Sequence, residues 1–289
     1  MSNICVVGSE NLDFFTIAET FPQKGETLLG QRFFTQPGGK GAKQAIAAAK
    51  LGGKISFIGA VGQDDFGSTL EQNFERYGVD TNGLEKIDNH SGIAQITVAK
   101  QDNTIIVVSG ANNEVDVDMV NKHKHLIDES DIVMVQMEIP LPTIEHVINY
   151  AHEQGKVIIL NPAPAHPLSV NAINKSTYIT PNEVEIKTVF GDLSFESILE
   201  KYPSKVILTK GNDGAHFYDG EKMVHVPAEK VEAVDTTGAG DTFNGALAVA
   251  LGDGKTLEEA VKFANKAAAI SITTLGAQGA MPTKEELQK

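Results

Sequence analysis

The sequence predicts an α/β doubly wound domain, a mostly parallel sheet flanked by helices, with a small antiparallel β lid. Three observations predict it. Short β-branched runs recur at Ile4–Val7, Ile55–Gly59, Ile132–Met137, Val157–Leu160 and Val206–Thr209. Each is apolar on both faces, as a parallel strand covered from two sides must be. Helical stretches lie between them: Gly41–Leu51 before Gly52-Gly53, Thr69–Tyr77 before Gly78, and Leu141–Glu153 before Gly155, the glycines supplying left-handed caps. Two further stretches alternate like hairpins and break the rhythm.

In chain order, the first strand candidate is followed by Phe14–Phe34, which holds a turn at Pro22–Gly25 and a second extended run, Thr27–Phe34. Ile93–Val98 alternates apolar and polar residues, and Gln101-Asp102-Asn103 turns it back into Ile105–Val108. These pieces, about residues 12–36 and 91–110, are expected to form the lid, inserted in a single domain that spans 1–289. Past Asp241 the pattern turns helical, with Phe243, Leu247, Ala250 and Leu251 on one face, and an Ala-rich helix follows at Leu257–Ile272.

Composition narrows the function classes. Of 289 residues, 24 are Lys or Arg and 38 are Asp or Glu, a formal charge of −14. Such a chain is poorly suited to a nucleic-acid backbone, whose binding needs a basic face, or to an anionic membrane surface. Cys5, the single cysteine, excludes a disulfide framework and a multi-thiolate zinc site, and its apolar setting reads as core. The N-terminus has no basic region ahead of a long apolar stretch, and no run approaches a membrane span. A soluble cytoplasmic protein is expected. The eight histidines lack zinc-type spacing, His123 and His125 read as surface helix, and no Ser/His/Asp arrangement stands out.

The most informative stretch is Val234-Asp235-Thr236-Thr237-Gly238-Ala239-Gly240-Asp241-Thr242-Phe243. A strand end runs through Gly-Ala-Gly into a helix. Small residues there let backbone amides point at a bound group, and the helix dipole adds positive potential. Gly238, Ala239 and Gly240 can thus form an anion hole for a transferring phosphoryl group, with Asp241 placed to take a proton from a hydroxyl. Spacing alone leaves open that Asp241 only caps the helix. Pro37-Gly38-Gly39-Lys40-Gly41-Ala42-Lys43-Gln44 is a second Gly-rich helix entry, readable also as a close-packed turn. Neither cluster has phosphate-loop spacing or Gly-x-Gly-x-x-Gly after a strand, which argues against a dinucleotide-dependent oxidoreductase.

These two helix entries, taken with Gly8-Ser9-Glu10-Asn11-Leu12-Asp13, resemble the ribokinase/PfkB-type carbohydrate kinase family over essentially the whole chain. The resemblance implies ATP-dependent phosphorylation of a sugar hydroxyl, D-ribose or a close relative first, with Asp241 as base and Gly238–Asp241 as anion hole. It implies that Asn11 and Asp13 bond sugar hydroxyls, that Gly39, Lys40, Gly41 and Lys43 line the same pocket, and that Glu138 closes it. On the ATP side it implies Asn182, Glu185 ordering the water shell of Mg²⁺, Thr209, Gly211 and Gly214 shaping the cleft, Gly240, and Asn265. A K⁺ site is implied at Asp235, Thr237, Ser271, Thr274, Gly276 and Ala280, where Ala280 replaces the usual serine. A homodimer through the lid is expected as well, because the lid strands expose edges and an apolar face. A non-catalytic sugar-binding regulator on the same fold is disfavoured by the intact Asp241.

One departure stands out. Where the family has an asparagine after Gly-Lys-Gly-Ala, this chain has Lys43. An amide donates and accepts, whereas an ammonium only donates and adds a charge that opposes the helix dipole. Such a placement calls for a nearby anion, either Glu10, Asp13 or Glu138, or an acidic substrate.

Overall fold

A computed structural model describes residues 2–100, 102–274 and 276–287; Gln101 of the expected turn and Leu275 of the C-terminal loop lie outside them. The strands, in chain order, begin with β1 (Asn3–Val7), β2 (Asn11–Ile17), β3 (Arg32–Gly38) and β4 (Lys54–Gly62). Then come β5 (Asp80–Ile87), β6 (Gly92–Ala99), β7 (Asp102–Val108), β8 (Ile132–Gln136) and β9 (Val157–Asn161). The last are β10 (Tyr178–Ile179), β11 (Leu208–Thr209), β12 (Ala215–Tyr218) and β13 (Met223–Val226).

Six of them form the central parallel sheet in the order β10-β9-β8-β1-β4-β5. Its pleat explains why the strand sequences are apolar throughout. Ile4 and Val6 of β1 point to a layer built by the helices Lys40–Lys50, Ala239–Gly252 and Leu257–Ser271, while Cys5 and Val7 point to the layer that includes Leu141–Glu153. Burial pushes the Cys5 thiol up to about 12, with a hydrogen bond from Ser56 opposing it. The expected glycine caps are present: Gly52, Gly78 and Gly155 all have positive φ. The run Val206–Thr209 is only partly a strand; Leu208–Thr209 pairs with β12, while Val206 makes a single bridge to Ile179. Among the described residues no helix is long and apolar enough to cross a membrane.

The lid is the separate sheet β3-β2-β6-β7. Its outer pairs are antiparallel, as the alternation suggested, and its central pair β2–β6 is parallel. The second extended run is shifted C-terminally, because β3 pairs with β2 from Arg32↔Ile17 to Gly38↔Asn11. That register carries the lid directly into Gly39 and the helix behind it. His123 is not a surface helix residue. It sits between two short helices, half-buried, with Nε2 2.8 Å from Glu85.

Candidate active site

The site runs along the carboxyl ends of the parallel strands, where an open α/β sheet leaves a crevice. From β1 the chain passes into Gly8-Ser9-Glu10 and Asn11; from β8 into Met137-Glu138; β9 ends on Asn161. Beyond them the helix Ala239–Gly252 begins at Gly238, whose φ of 81° places it in the left-handed region. The first intrahelical bond is Thr242 N–H to Gly238 O at 2.8 Å. The Gly240 and Asp241 amides therefore precede the ladder and face outward, as the orphan donors of a helix start do. A Cβ on Gly240 would meet nothing within 4 Å, so a ligand can approach its backbone there.

Two cavities open on this helix start. The larger, about 550 Å³, is lined by Asn182, Glu185, Thr209, Gly211, Gly214 and Asn265 among others. The smaller, about 520 Å³, is lined by Asn11, Asp13, Gly39, Lys43 and Glu138 on one side and by lid residues such as Ile105 and Val107 on the other. Lys40, Gly238 and Asp241 line both. Two separate compartments thus meet at one carboxylate, one ammonium and one helix N-terminus.

Asp241 is buried, and its Oδ1 accepts a 3.1 Å hydrogen bond from Gln44 Nε2. Burial raises its pKa above the usual carboxylate range, against the pull of Lys40, Lys43 and the Gln44 amide. The same Gln44 nitrogen donates to Asn161 Oδ1 at 3.0 Å, and Gln44 Oε1 accepts from Gln136 Nε2 at 2.7 Å. Asn161 in turn donates to the Thr180 carbonyl. This chain of amides holds the Asp241 carboxylate in one orientation.

In the smaller cavity, Lys43 Nζ lies 3.0 Å from Asp13 Oδ2, so the anion that its position called for is internal. Burial alone would lower the Lys43 pKa, yet Asp13, Asp241 and Glu138 together carry it above the ordinary value. Asp13 is likewise raised by burial despite Lys43. Glu138 Oε2 accepts from Ser9 Oγ at 2.5 Å and from the Lys40 amide at 2.9 Å, which caps the helix Lys40–Lys50 and fixes one wall. Asn11 Oδ1 accepts from Asn112 Nδ2 at 2.7 Å, leaving its own amide group to face the cavity. Gly41 does not line the pocket as expected. A Cβ there would come within 2.6 Å of the Ser9 amide, so the glycine allows the helix to press against the Gly8-Ser9 backbone.

In the larger cavity, Asn182 and Glu185 grip each other. Glu185 accepts from the Asn182 amide and from Nδ2, both at 2.9 Å, while Asn182 Oδ1 accepts from the Val184 and Glu185 amides. The pair is a helix start and a cavity wall at once. Burial raises Glu185, against the Asn182 amide and Lys40. Asn265 faces neither solvent nor open cavity with its amide, which donates to the carbonyls of Val226 and Pro227. Asp235 accepts from the Thr237 amide at 2.9 Å and the Gly276 amide at 3.2 Å, tying the two loops of the expected cation site together. Ser271 is buried with its hydroxyl on Ala268 O, Gly276 O accepts from the Ala280 amide, and Thr274 is exposed.

Sequence reasoning did not find Gln44, Gln136, Asn161, Asn112 or Ser9. Their partners lie far away in the chain, and only Gln44, next to the Gly-Lys-Gly-Ala-Lys stretch, and Ser9, within Gly8–Asp13, stood in or beside a visible signal.

Comparison with known proteins identifies the family. The family described as "pfkB family carbohydrate kinase" matches residues 1–284. The chain belongs to the pfkB family of carbohydrate kinases. This kinase is 45% identical to the ribokinase of Bacillus subtilis, over 100% of this chain and 99% of that one. Its fold matches a crystal structure of ribokinase from Thermotoga maritima with a TM-score of 0.92 and 38% identity, over 100% of this chain and 98% of the other. It also matches Arabidopsis thaliana ribokinase complexed with ribose and ATP, with a TM-score of 0.91 and 30% identity, over 99% and 97% of the two chains. The activity is thus an ATP-dependent phosphotransfer to a carbohydrate hydroxyl.

Proposed function

We propose that this kinase transfers the γ-phosphoryl group of ATP to the primary hydroxyl of D-ribose, giving ribose 5-phosphate and ADP. The observation that carries the reading is the meeting of two cavities at Asp241, Lys40 and Gly238. Sugar occupies the smaller cavity, where Asn11, Asp13, Lys43 and the Gly39-Lys40 backbone bond its hydroxyls. ATP occupies the larger one, with its phosphates toward Gly238–Asp241 and Lys40. Asp241 accepts the proton as the sugar oxygen forms a bond to γ-phosphorus and the bond to the β,γ-bridging oxygen breaks; the electron pair leaves with ADP. The helix-start amides and Lys40 stabilise the charge on the transferring group.

Mg²⁺ neutralises phosphate charge when bound, and the hydrogen-bonded carboxylate of Glu185 suits its water shell. Carbonyls of the 235–237 and 271–280 loops, joined through Asp235, suit a K⁺ ion beside the helix start. The apolar strand β7, exposed from Ile105 to Val108, and exposed Phe33 supply a lid face for a second copy. ATP as phosphoryl donor fits the cytoplasm.

The Lys43–Asp13 ion pair favours a second reading, in which another sugar or a nucleoside is preferred, because it occupies two groups that would otherwise bond ribose. ADP release measured with a panel of pentoses, hexoses and nucleosides tests both. Turnover with ribose and little with the rest supports the first; a strong preference for another acceptor overturns it.

A further inference from the structure

Outside the active site, Asp213, His216 and His225 bring three metal-ligating side chains to one point, their ligand atoms all within 4.8 Å of one another. His216 and His225 are directly opposite each other across the antiparallel pair β12–β13. Their rings stack at 4.3 Å with 6° between planes, so the rings must turn about their side-chain bonds for both Nε2 lone pairs to meet at one ion. Asp213 comes from the turn immediately before β12. His216 Nε2 lies 2.9 Å from Asp213 Oδ2, and His225 Nε2 lies 3.4 Å from Oδ1 and 2.7 Å from the Asp213 carbonyl. A tetrahedral ion with bonds of about 2.0–2.2 Å holds its ligand atoms roughly 3.3 Å apart, so the carboxylate already has the required spacing from both imidazoles.

The scaffold is stiff. Strand pairing fixes the backbone at both histidines, and Gly214, at φ 89°, sits so close to Val226 O that a Cβ would approach to 2.2 Å, which pins the Asp213 turn against β13. Hydrogen bonds from Lys210 and His216 steady the Asp213 carboxylate. Lys210 Nζ, 2.9 Å from Asp213 Oδ2, already marks the place of a cation. It is attached through a flexible stem and can swing away.

We propose that Asp213, His216 and His225 form a binding site for a divalent first-row transition-metal ion such as Zn²⁺, held at the outer edge of the Gly211–Gly214 turn. Two imidazoles and one carboxylate select such an ion over Mg²⁺, which takes oxygen ligands. Three protein ligands at an exposed position leave at least one coordination place for water. The site is independent of the phosphotransfer reading and of the Mg²⁺ that serves it.

The test is titration of metal-free protein with Co²⁺ in excess Mg²⁺, followed by its visible absorption. The expected result is saturation at a single Co²⁺ per chain, with the band abolished by Zn²⁺. His216→Ala and His225→Ala should each weaken binding by roughly 10–100-fold. His123→Ala, which alters a different histidine pair, should leave it unchanged. Thermal melting verifies that the variants are folded, as expected for side chains on the hairpin surface. Absence of saturable binding by the wild type, or binding that survives both substitutions in folded protein, overturns the proposal.

Discussion

Asp241, the proposed base, is buried, yet it must be ionised to accept a proton. Burial works against ionisation, and Lys40, Lys43 and Gln44 work for it. Because the base is active only when deprotonated, kcat/KM should fall as pH drops through a pKa above the ordinary aspartate value, not at it. Asp241→Ala should lower kcat by roughly 10²–10⁴-fold with a much smaller effect on sugar KM, measured by ADP release. Gln44→Met removes the hydrogen bond that favours the charged form, so the acid limb of the same pH profile should move upward. It also strands Asn161 Oδ1 and Gln136 Nε2, at about 1–3 kcal/mol for each buried group left unpaired, readable as a lower melting temperature. Lys43→Asn frees Asp13 and supplies a group that both donates and accepts. It should raise kcat/KM for ribose roughly tenfold, about 1.4 kcal/mol; no gain over an already efficient wild type would show that the ion pair is no obstacle.

At the scale of elements, the lid stands apart because its outermost strand, β7, is exposed along its whole length. Ile105 and Val107 face the smaller cavity, so by the alternation of a strand Ile106 and Val108 face away from it. Ile106→Glu should therefore shift a dimer toward monomer in light scattering at micromolar concentration, with the fold of each chain kept because the side chain is exposed within one chain. The elements that could be read from sequence were those whose own residues carry the pattern. β1, β4, β8 and β9 are apolar on both faces, and Leu141–Glu153 has matching ends. β5 was missed because Asp80–Ile87, at the sheet edge, has no apolar run and depends on pairing with β4. The Gly238–Asp241 entry was legible for the converse reason: an anion hole is made by local backbone and needs small residues in sequence. The amide chain Gln136–Gln44–Asn161 was not, since it exists only after distant segments pair, and the Asp213–His216–His225 cluster depends on the register of the β12–β13 hairpin.

For the whole molecule, the parallel sheet serves as a platform from which both compartments are reached, and Asp235 links the helix start to the C-terminal loop. A K⁺ ion ordering that junction should give higher activity in K⁺ than in Na⁺ at matched ionic strength; equal rates would mean that the carbonyl set around Ala280 does not select. The lid is not an appendage to this platform. Asn11 and Asp13 are residues of β2, and β3 continues through Gly38 into Gly39, so these three of the groups proposed to bond the sugar are carried by the lid strands or joined to them. Any displacement of the lid is a displacement of those proposed ligands. Thermodynamic reciprocity then binds two equilibria that look unrelated: whatever grips the lid, a second copy included, alters sugar affinity by some factor, and bound sugar must alter the strength of that grip by the same factor.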